Sequence, residues 1–478
     1  MSHDDDVFRD ECGVFGAWGC KEAAQICYLG LYSLQHRGQE SAGIVTADAS
    51  SFYVVKDMGL VSEIFNPDNL SHLKGQSAVG HVRYSTTGAS MLNNVQPLYT
   101  KTSKGKIAVA HNGNLTNAYT IYNQLKSDGA LFQTTVDTEV LLHLISRSKL
   151  VKPLDVFQEV LAQVEGAFSL VLLGEKYLVA ARDTFGFRPL VLGRLGDGYV
   201  VASETCAFDL IGATYIREIE PGEIILIDKT GISTTKILKQ TRKAFCVFEH
   251  VYFARPDSHV FGETVHLVRK AFGRALAAEY PVDADLVMAI PDSGNSAALG
   301  YAEQSGIPFE IGMTRNHYVG RTFIQPTQKI RDFAVKVKLN PIRSVLEGKR
   351  VVVVDDSLVR GTTSKQRVAA IRQAGAKEVH LRISSPPITH PCHFGIDTPQ
   401  RDKLIAAQKT VDEILKYVGA DSIGYLSKPL MLNALTAYGP GDFCTGCFDG
   451  KYPLKVKDKG KYSLGTRKIK LYAEKNRY

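Results

Sequence analysis

Asp355 and Asp356 stand side by side behind four consecutive valines, Val351-Val352-Val353-Val354, and ahead of Ser357, Arg360, Gly361, Thr362 and Thr363. Hydroxyls and closely approachable backbone N–H groups at the start of a helix make a cradle for phosphate. The two carboxylates cannot face that phosphate directly. They suit sugar hydroxyls or a hydrated Mg²⁺, which prefers carboxylates plus ligand oxygens. No Gly-x-x-x-x-Gly-Lys-Ser/Thr is present, so this is not a Walker loop. A second turn, Pro291-Asp292-Ser293-Gly294-Asn295-Ser296, repeats the small-residue and hydroxyl chemistry. Between the two, residues 320–331, with Lys329 among them, are basic, polar and poorly periodic, the composition of a lid.

The cysteines supply a different chemistry. Cys12 stands in Cys12-Gly13-Val14-Phe15-Gly16, which by itself suits a buried thiol in a tight turn. Cys444-Thr445-Gly446-Cys447 is a Cys-x-x-Cys without a thioredoxin pattern, and Cys246 and Cys392 stand alone. In a reducing compartment that pattern points to metal, and four thiolates can hold Zn²⁺ or a [4Fe–4S] cluster. Spacing alone does not choose between them. Cys20, Cys27 and Cys206 read as small buried hydrophobes.

These residues need elements to hold them. The valine run is a strand buried on both faces, as in a parallel sheet, and residues 365–374 form a helix stopped by Gly375. Strand, polar loop and helix make half of a βαβ unit, whose ligands sit outside the carboxyl ends of the strands. Residues 285–290 repeat the pattern as a strand, with helices at 261–278 and 297–304. Before residue 240 the grammar differs. Residues 166–173 and 177–183 read as a hairpin, and 200–204 and 223–227 as further antiparallel strands among helices such as 140–146.

The chain has 478 residues, 44% of them hydrophobic, which is enough for two or three cores. No apolar run approaches a membrane span, and residues 1–10 are too acidic for a signal peptide. A cytoplasmic protein with no membrane partner is expected. The net charge of +8 is local: residues 451–478 hold 10 basic and 2 acidic side chains, and the remainder is balanced at 47 of each sign. A basic tail on a neutral body gives little support to nucleic acid binding.

Four further stretches accompany Cys12. They are Leu34-Gln35-His36-Arg37-Gly38-Gln39-Glu40-Ser41-Ala42-Gly43, Gly80-His81-Val82-Arg83-Tyr84-Ser85-Thr86-Thr87-Gly88, Ala110-His111-Asn112-Gly113-Asn114-Leu115 and Asp137-Thr138-Glu139. Together they resemble the glutaminase domain of the N-terminal-nucleophile amidotransferases. The resemblance implies an αββα sandwich and a mature chain beginning at Cys12, with residues 1–11 a removed propeptide. The chemistry is coherent, because an α-amino group with pKa near about 8 is a suitable base for the thiol beside it. It also implies roles: Cys12 attacks the glutamine carboxamide, Asn112 and Gly113 form the oxyanion hole, Arg83 pairs with the α-carboxylate and Asp137 holds the α-ammonium. Arg188-Pro189-Leu190 matches the same family without a role attached.

Residues 351–363 resemble the signature of type I phosphoribosyltransferases, an α/β fold with a parallel sheet. That implies phosphoribosyl pyrophosphate bound by Asp355, Asp356, Ser357, Arg360, Gly361, Thr362, Thr363, Asp292, Ser293, Gly294 and Lys329. Mg²⁺ would sit at Ser293, Asp355 and Asp356, and cations of the 320–331 stretch would neutralise departing pyrophosphate. Cysteines after Lys-Ala-Phe, in His-Pro-Cys and in Cys-x-x-Cys are similar to those of the cluster-bearing amidophosphoribosyltransferases, which implies [4Fe–4S] at Cys246, Cys392, Cys444 and Cys447. The whole chain then resembles that family. The implied domains are a glutaminase at 12–242, a phosphoribosyltransferase at 243–440 and a cluster-binding basic tail at 441–478. The resemblance further implies glutamine-dependent amination at C1 of the ribose, ammonia passed between two sites, purine nucleotides as feedback inhibitors and a homotetramer. A sugar-phosphate aminating enzyme or asparagine synthetase would carry a different second motif. A transcription regulator of the same fold would need a DNA-reading helix and a basic face.

Overall fold

A computed structural model describes residues 12–48, 51–84, 91–237, 242–316 and 339–456. Contacts divide the chain into two units, one built on Arg9–Ala244 with His393–Asp397 and one on Phe245–Cys392 with Thr398–Pro453.

The first unit holds two antiparallel sheets. One has seven strands in the order Thr214–Glu218, Val191–Leu195, Gly198–Ala202, Gly13–Trp18, Ser77–Arg83, Ser41–Ala47 and Phe52–Met58. The other has six: Gly231–Lys236, Glu223–Asp228, Leu178–Arg182, Gly166–Gly174, Gly105–Leu115 and Leu98–Thr102. Alternation along the strands puts Val14, Val45 and Val79 of the first sheet into one core with Ala108, Val171 and Leu178 of the second. The helix Ala23–Ser33 covers the outer face of the first sheet through Cys27 and Leu31. Helices Ala118–Ser127, Glu139–Arg147 and Pro153–Leu161 cover the second through Leu125, Val140, Leu141 and Phe157. The layers run helix, sheet, sheet, helix. Cys20, Cys27 and Cys206 are packed into the core below the first sheet.

The second unit is an α/β fold. Its sheet has four parallel strands in the order Leu286–Ala289, Arg350–Asp355, Glu378–Ile383 and Ser422–Tyr425. Val351 to Val354 are buried, as a sheet covered by helices on both faces requires. The helix expected from residue 261 starts later, at Val265. Phe261 and Gly262 have φ of 50° and 78°, a left-handed pair that no helix continues through, and Glu263–Thr264 pairs with His259–Val260 as a short hairpin instead. The helix expected from residue 365 starts earlier, at Thr362, because Gly361 at φ 81° supplies the turn into it.

Candidate active sites

The residues expected to handle glutamine lie where the strand Gly13–Trp18 begins. Cys12 is 6% exposed and its Sγ approaches the carbonyl of Tyr84 at 3.6 Å. Burial pushes the thiol up to about 11, opposed by that carbonyl contact and by Arg83, and reinforced by Glu40 and Asp137. Arg83, Glu40 and Asp137 are therefore within electrostatic reach of the sulfur. Arg83 ends its strand buried, with Nη1 3.4 Å from Glu40 Oε1. Asp137 is buried, which pushes its carboxyl up. The nearby His111 and the N–H of Leu115, donating at 2.8 Å, outweigh burial and hold it below the usual range.

Asn112 and Gly113 sit on the strand Gly105–Leu115, paired with Ser169 and Phe168 of the neighbouring strand. Asn112 is 1% exposed, and its Nδ2 has no hydrogen-bond partner among the described residues. A buried amide donor left open is costly unless something accepts from it. Gly113 has φ 146°, and a Cβ there would lie 2.0 Å from the carbonyl oxygen of Ala167, so only glycine fits.

Two supporting residues had no role at the level of sequence. Arg37 donates from Nε to the carbonyl of Cys12 at 3.2 Å and from Nη1 to Glu204 at 2.6 Å. Arg37 lies inside one of the glutaminase-like motifs, but Glu204 is 167 positions from its partner and carried no signal.

At the carboxyl edge of the parallel sheet, Ala289 pairs with Val354, so the loops after these two strands leave side by side. Gly294 brings them together: a Cβ there would lie 2.5 Å from the carbonyl oxygen of Val354. Asp292, Ser293 and Gly294 thus share one edge with Asp355 through Thr363. Asp355 is 2% and Asp356 6% exposed. Burial pushes Asp355 up to about 7; Arg367 pulls against it and Asp356 adds to it. Arg367, on the helix Thr362–Gln373, donates to Asp355 Oδ2 at 2.7 Å. Ser357 Oγ donates to Asp356 at 2.5 Å, and Asp292 is held by Arg315 at 2.6 Å. Lys329 and the rest of 320–331 lie outside the described residues, as do residues 1–11 and Ser85-Thr86-Thr87-Gly88 of the second glutaminase motif.

The chain over residues 81–209 matches the glutamine amidotransferase domain family. It is 52% identical to amidophosphoribosyltransferase 1, chloroplastic, of Arabidopsis thaliana, over 95% of this chain and 80% of that one. It is 49% identical to the amidophosphoribosyltransferase of Bacillus subtilis, over 94% of this chain and 95% of that one. The chain belongs to the amidophosphoribosyltransferases. It is a pentosyltransferase of purine biosynthesis carrying a glutamine amidotransferase domain. The solved structure of the Bacillus subtilis glutamine phosphoribosylpyrophosphate amidotransferase complexed with ADP and GMP matches with a TM-score of 0.88 at 49% identity. That match covers 93% of this chain and 98% of the other. A solved structure described as the allosteric regulatory enzyme of purine biosynthesis matches with a TM-score of 0.89, also at 49% identity, over 93% of this chain and 97% of that one.

In this amidophosphoribosyltransferase the four expected metal cysteines all fall in the second unit. Cys246 and Cys444 are in register on two short parallel strands, Phe245–Cys246 and Phe443–Cys444. Cys447 follows on the turn of helix Gly446–Asp449, with its carbonyl accepting from the N–H groups of Thr389 and His390 at 3.0 Å each. Burial pushes the Cys447 thiol far up, and Cys246, Cys444 and Cys392 push it further. Cys246, Cys392 and Cys444 are therefore within electrostatic reach of Cys447. Among the described residues, no group of three or more His, Cys, Asp or Glu side chains is arranged to hold a metal ion. Nor is any described helix long and apolar enough to cross a membrane.

Proposed function

We propose that this chain transfers nitrogen from glutamine to C1 of phosphoribosyl pyrophosphate, giving 5-phosphoribosylamine, glutamate and pyrophosphate. The observation that carries the glutaminase half is Asn112 Nδ2, buried beside Gly113 and without a partner among the described residues. In this reading the Cys12 thiolate attacks the carboxamide carbon, and the oxygen that becomes negative accepts from Asn112 and Gly113. Arg83 and Asp137 hold the two charged ends of the amino acid. The α-amine of Cys12 serves as base, which requires removal of residues 1–11, since an amide nitrogen there has no usable basicity.

Ammonia then passes to the second site and displaces pyrophosphate. Asp355 and Asp356 would bind the ribose hydroxyls, and Gly361, Thr362 and Thr363 the 5-phosphate at the start of their helix. Asp292, Ser293, Gly294, Ser357, Arg360 and Lys329 complete the assigned set. Ser293, Asp355 and Asp356 are the residues assigned to Mg²⁺, which when bound would neutralise charge on the pyrophosphate. No side-chain nucleophile is required there, because a loose transition state needs the leaving group held more than it needs a base.

We assign a [4Fe–4S] cluster to Cys246, Cys392, Cys444 and Cys447, on the convergence of these thiols and the motifs around them. The ADP and GMP of the Bacillus subtilis complex favour purine nucleotides as feedback ligands here. A homotetramer is the assembly we infer from the family. Eight cysteines without a disulfide favour a reducing compartment, and we place the enzyme in the cytoplasm.

The test is turnover of the purified chain with glutamine, phosphoribosyl pyrophosphate and Mg²⁺. Stoichiometric glutamate, pyrophosphate and phosphoribosylamine are expected, and glutamate release without pyrophosphate release would refute the coupling. Intact-mass analysis of the active enzyme should find a chain that begins at Cys12.

A further inference from the structure

His393–Asp397 belongs to the first unit, although Cys392 before it and Thr398 after it belong to the second. Within the first unit these five residues reach the strand end that carries Asn112 and Gly113. Asn114 Nδ2 donates to the carbonyl of His393 at 2.9 Å. Arg188, fully buried, donates to the carbonyl of Phe394 through Nε at 3.0 Å and Nη2 at 2.7 Å. The ring of Phe394 stacks on Phe187 with centroids 4.2 Å apart and planes 14° from parallel.

The tightest approach is backbone against backbone. Gly395 has φ 111°, and a Cβ built on it would lie 3.1 Å from Cα and 3.2 Å from the carbonyl carbon of Gly113. A Cβ on Gly113 would in turn lie 2.0 Å from the carbonyl oxygen of Ala167. Gly113 therefore has strand Gly166–Gly174 against it in one direction and Gly395 close by in another. Arg188 ties into the same network, since its carbonyl accepts from Ser169 Oγ at 3.2 Å and Ser169 is the cross-strand partner of Asn112.

We propose that His393–Asp397 is a positioning segment for the oxyanion hole. It acts through Gly113, Asn114 and Arg188, by fixing where the Asn112 amide and the Gly113 N–H point. The proposal rests on the assignment of Asn112 and Gly113 as the oxyanion donors. Losing one oxyanion donor outright costs about 10²–10³ in kcat, so donors left in place but loosened should cost about tenfold or more. That loss should fall on kcat and not on KM, because the contacts made only in the transition state are the ones disturbed.

The test compares Gly395→Ala, Arg188→Lys and Asn112→Ala in the full-length enzyme. Each is assayed for glutamine hydrolysis, for inhibition by glutamate γ-semialdehyde and for synthesis from free ammonia. The semialdehyde adds the Cys12 sulfur to its aldehyde carbon, and the aldehyde oxygen then occupies the hole. For Gly395→Ala and Arg188→Lys, kcat for glutamine should fall about tenfold or more with KM within about twofold, and semialdehyde affinity should weaken by a similar factor. Ammonia-dependent synthesis should be unchanged, which also reports that the chain is folded. If Gly395→Ala does not yield folded protein, Phe394→Leu replaces it and should show the same split. Unchanged kcat and semialdehyde affinity in the segment variants, with both lost in Asn112→Ala, would overturn the positioning role alone. Retention of both in Asn112→Ala would overturn the oxyanion assignment beneath it. A KM that rises as far as kcat falls would also overturn the proposal, because the segment would then be shaping substrate binding.

Discussion

Arg37 and Glu204 form an ion pair with both side chains at 0% exposure, Nη1 to Oε1 at 2.6 Å. His36 Nε2 reaches the same carboxylate oxygen at 2.8 Å, and Arg37 Nε holds the carbonyl of Cys12. The pair is thus a buried anchor for the residue assigned as nucleophile. Burying two charges is worthwhile only where every hydrogen-bonding position is used, and here the second donor of Arg37 is spent on the Cys12 backbone.

Removing one partner leaves the other charge buried and unpaired, which costs about 3–5 kcal/mol. Glu204→Leu should therefore lower the thermal midpoint of the glutaminase unit by many degrees, and the remaining folded enzyme should hydrolyse glutamine poorly. Calorimetry beside a glutaminase assay checks both. A melting temperature equal to that of the parent would show that the pair is not the anchor.

Asp183 gives a pH signature. Burial pushes its carboxyl up to about 6, against the N–H groups of Phe168, Phe185 and Phe187 and the charge of Arg182. Because the folded value lies above the ordinary one, the folded chain favours the protonated form. The stability this group contributes is full below about pH 4, and it is lost as the pH rises through about 6. Two units correspond to roughly 3 kcal/mol. The melting temperature of Asp183→Asn measured from pH 4 to 7 should lack the corresponding fall seen in the parent. Parallel curves for the two proteins would show that Asp183 is ionised throughout.

The elements around both candidate sites were legible where chemistry and local pattern coincide. The valine run, Gly361 and the hydroxyls after it announced a strand, a turn and a helix start, and the chain folds so. Motifs around Cys12, Arg83 and Asp137 were separate in sequence, and the fold brings these three within electrostatic reach of one another. What was not legible lies in pairings between distant positions with no local signature: Arg37 with Glu204, Asp355 with Arg367, and Phe394 with Arg188 and Phe187. The start of the helix at Val265 was missed for a different reason. Phe261 has a side chain that suits an apolar helical stripe, and its left-handed backbone is set by the hairpin around it.

The four thiols of Cys246, Cys392, Cys444 and Cys447 give a visible test. If they hold the assigned cluster, the purified protein is brown and contains about equimolar iron and acid-labile sulfide. Replacing Cys444 or Cys447 by Ser should give unstable protein, because the binding energy of the metal contributes to folding. A colourless, stable protein containing zinc would refute the iron assignment while leaving the four cysteines as metal ligands.

The sharpest prediction separates the two chemistries. Cys12→Ala removes the thiol, and none of Arg83, Asp137 or Asn112 can form the thioester in its place. Glutamine-dependent synthesis should fall by several orders of magnitude, about the loss seen when a covalent nucleophile is removed. The phosphoribosyl site needs only ammonia, so the same variant should still make phosphoribosylamine from free ammonia at high pH. Asp355→Asn should do the reverse. It removes the carboxylate that Arg367 holds at 2.7 Å and leaves that guanidinium facing a neutral amide, so neither ribose hydroxyls nor Mg²⁺ meets the charge it requires. Synthesis should fail with both nitrogen sources while some glutamine hydrolysis continues uncoupled. Arg367→Met should fall between the two, since Asp355 remains but loses the cation that favours its ionised form. Ammonia-dependent synthesis abolished in folded Cys12→Ala would contradict two separable sites, and full synthesis by Asp355→Asn would remove residues 351–363 from the phosphoribosyl site.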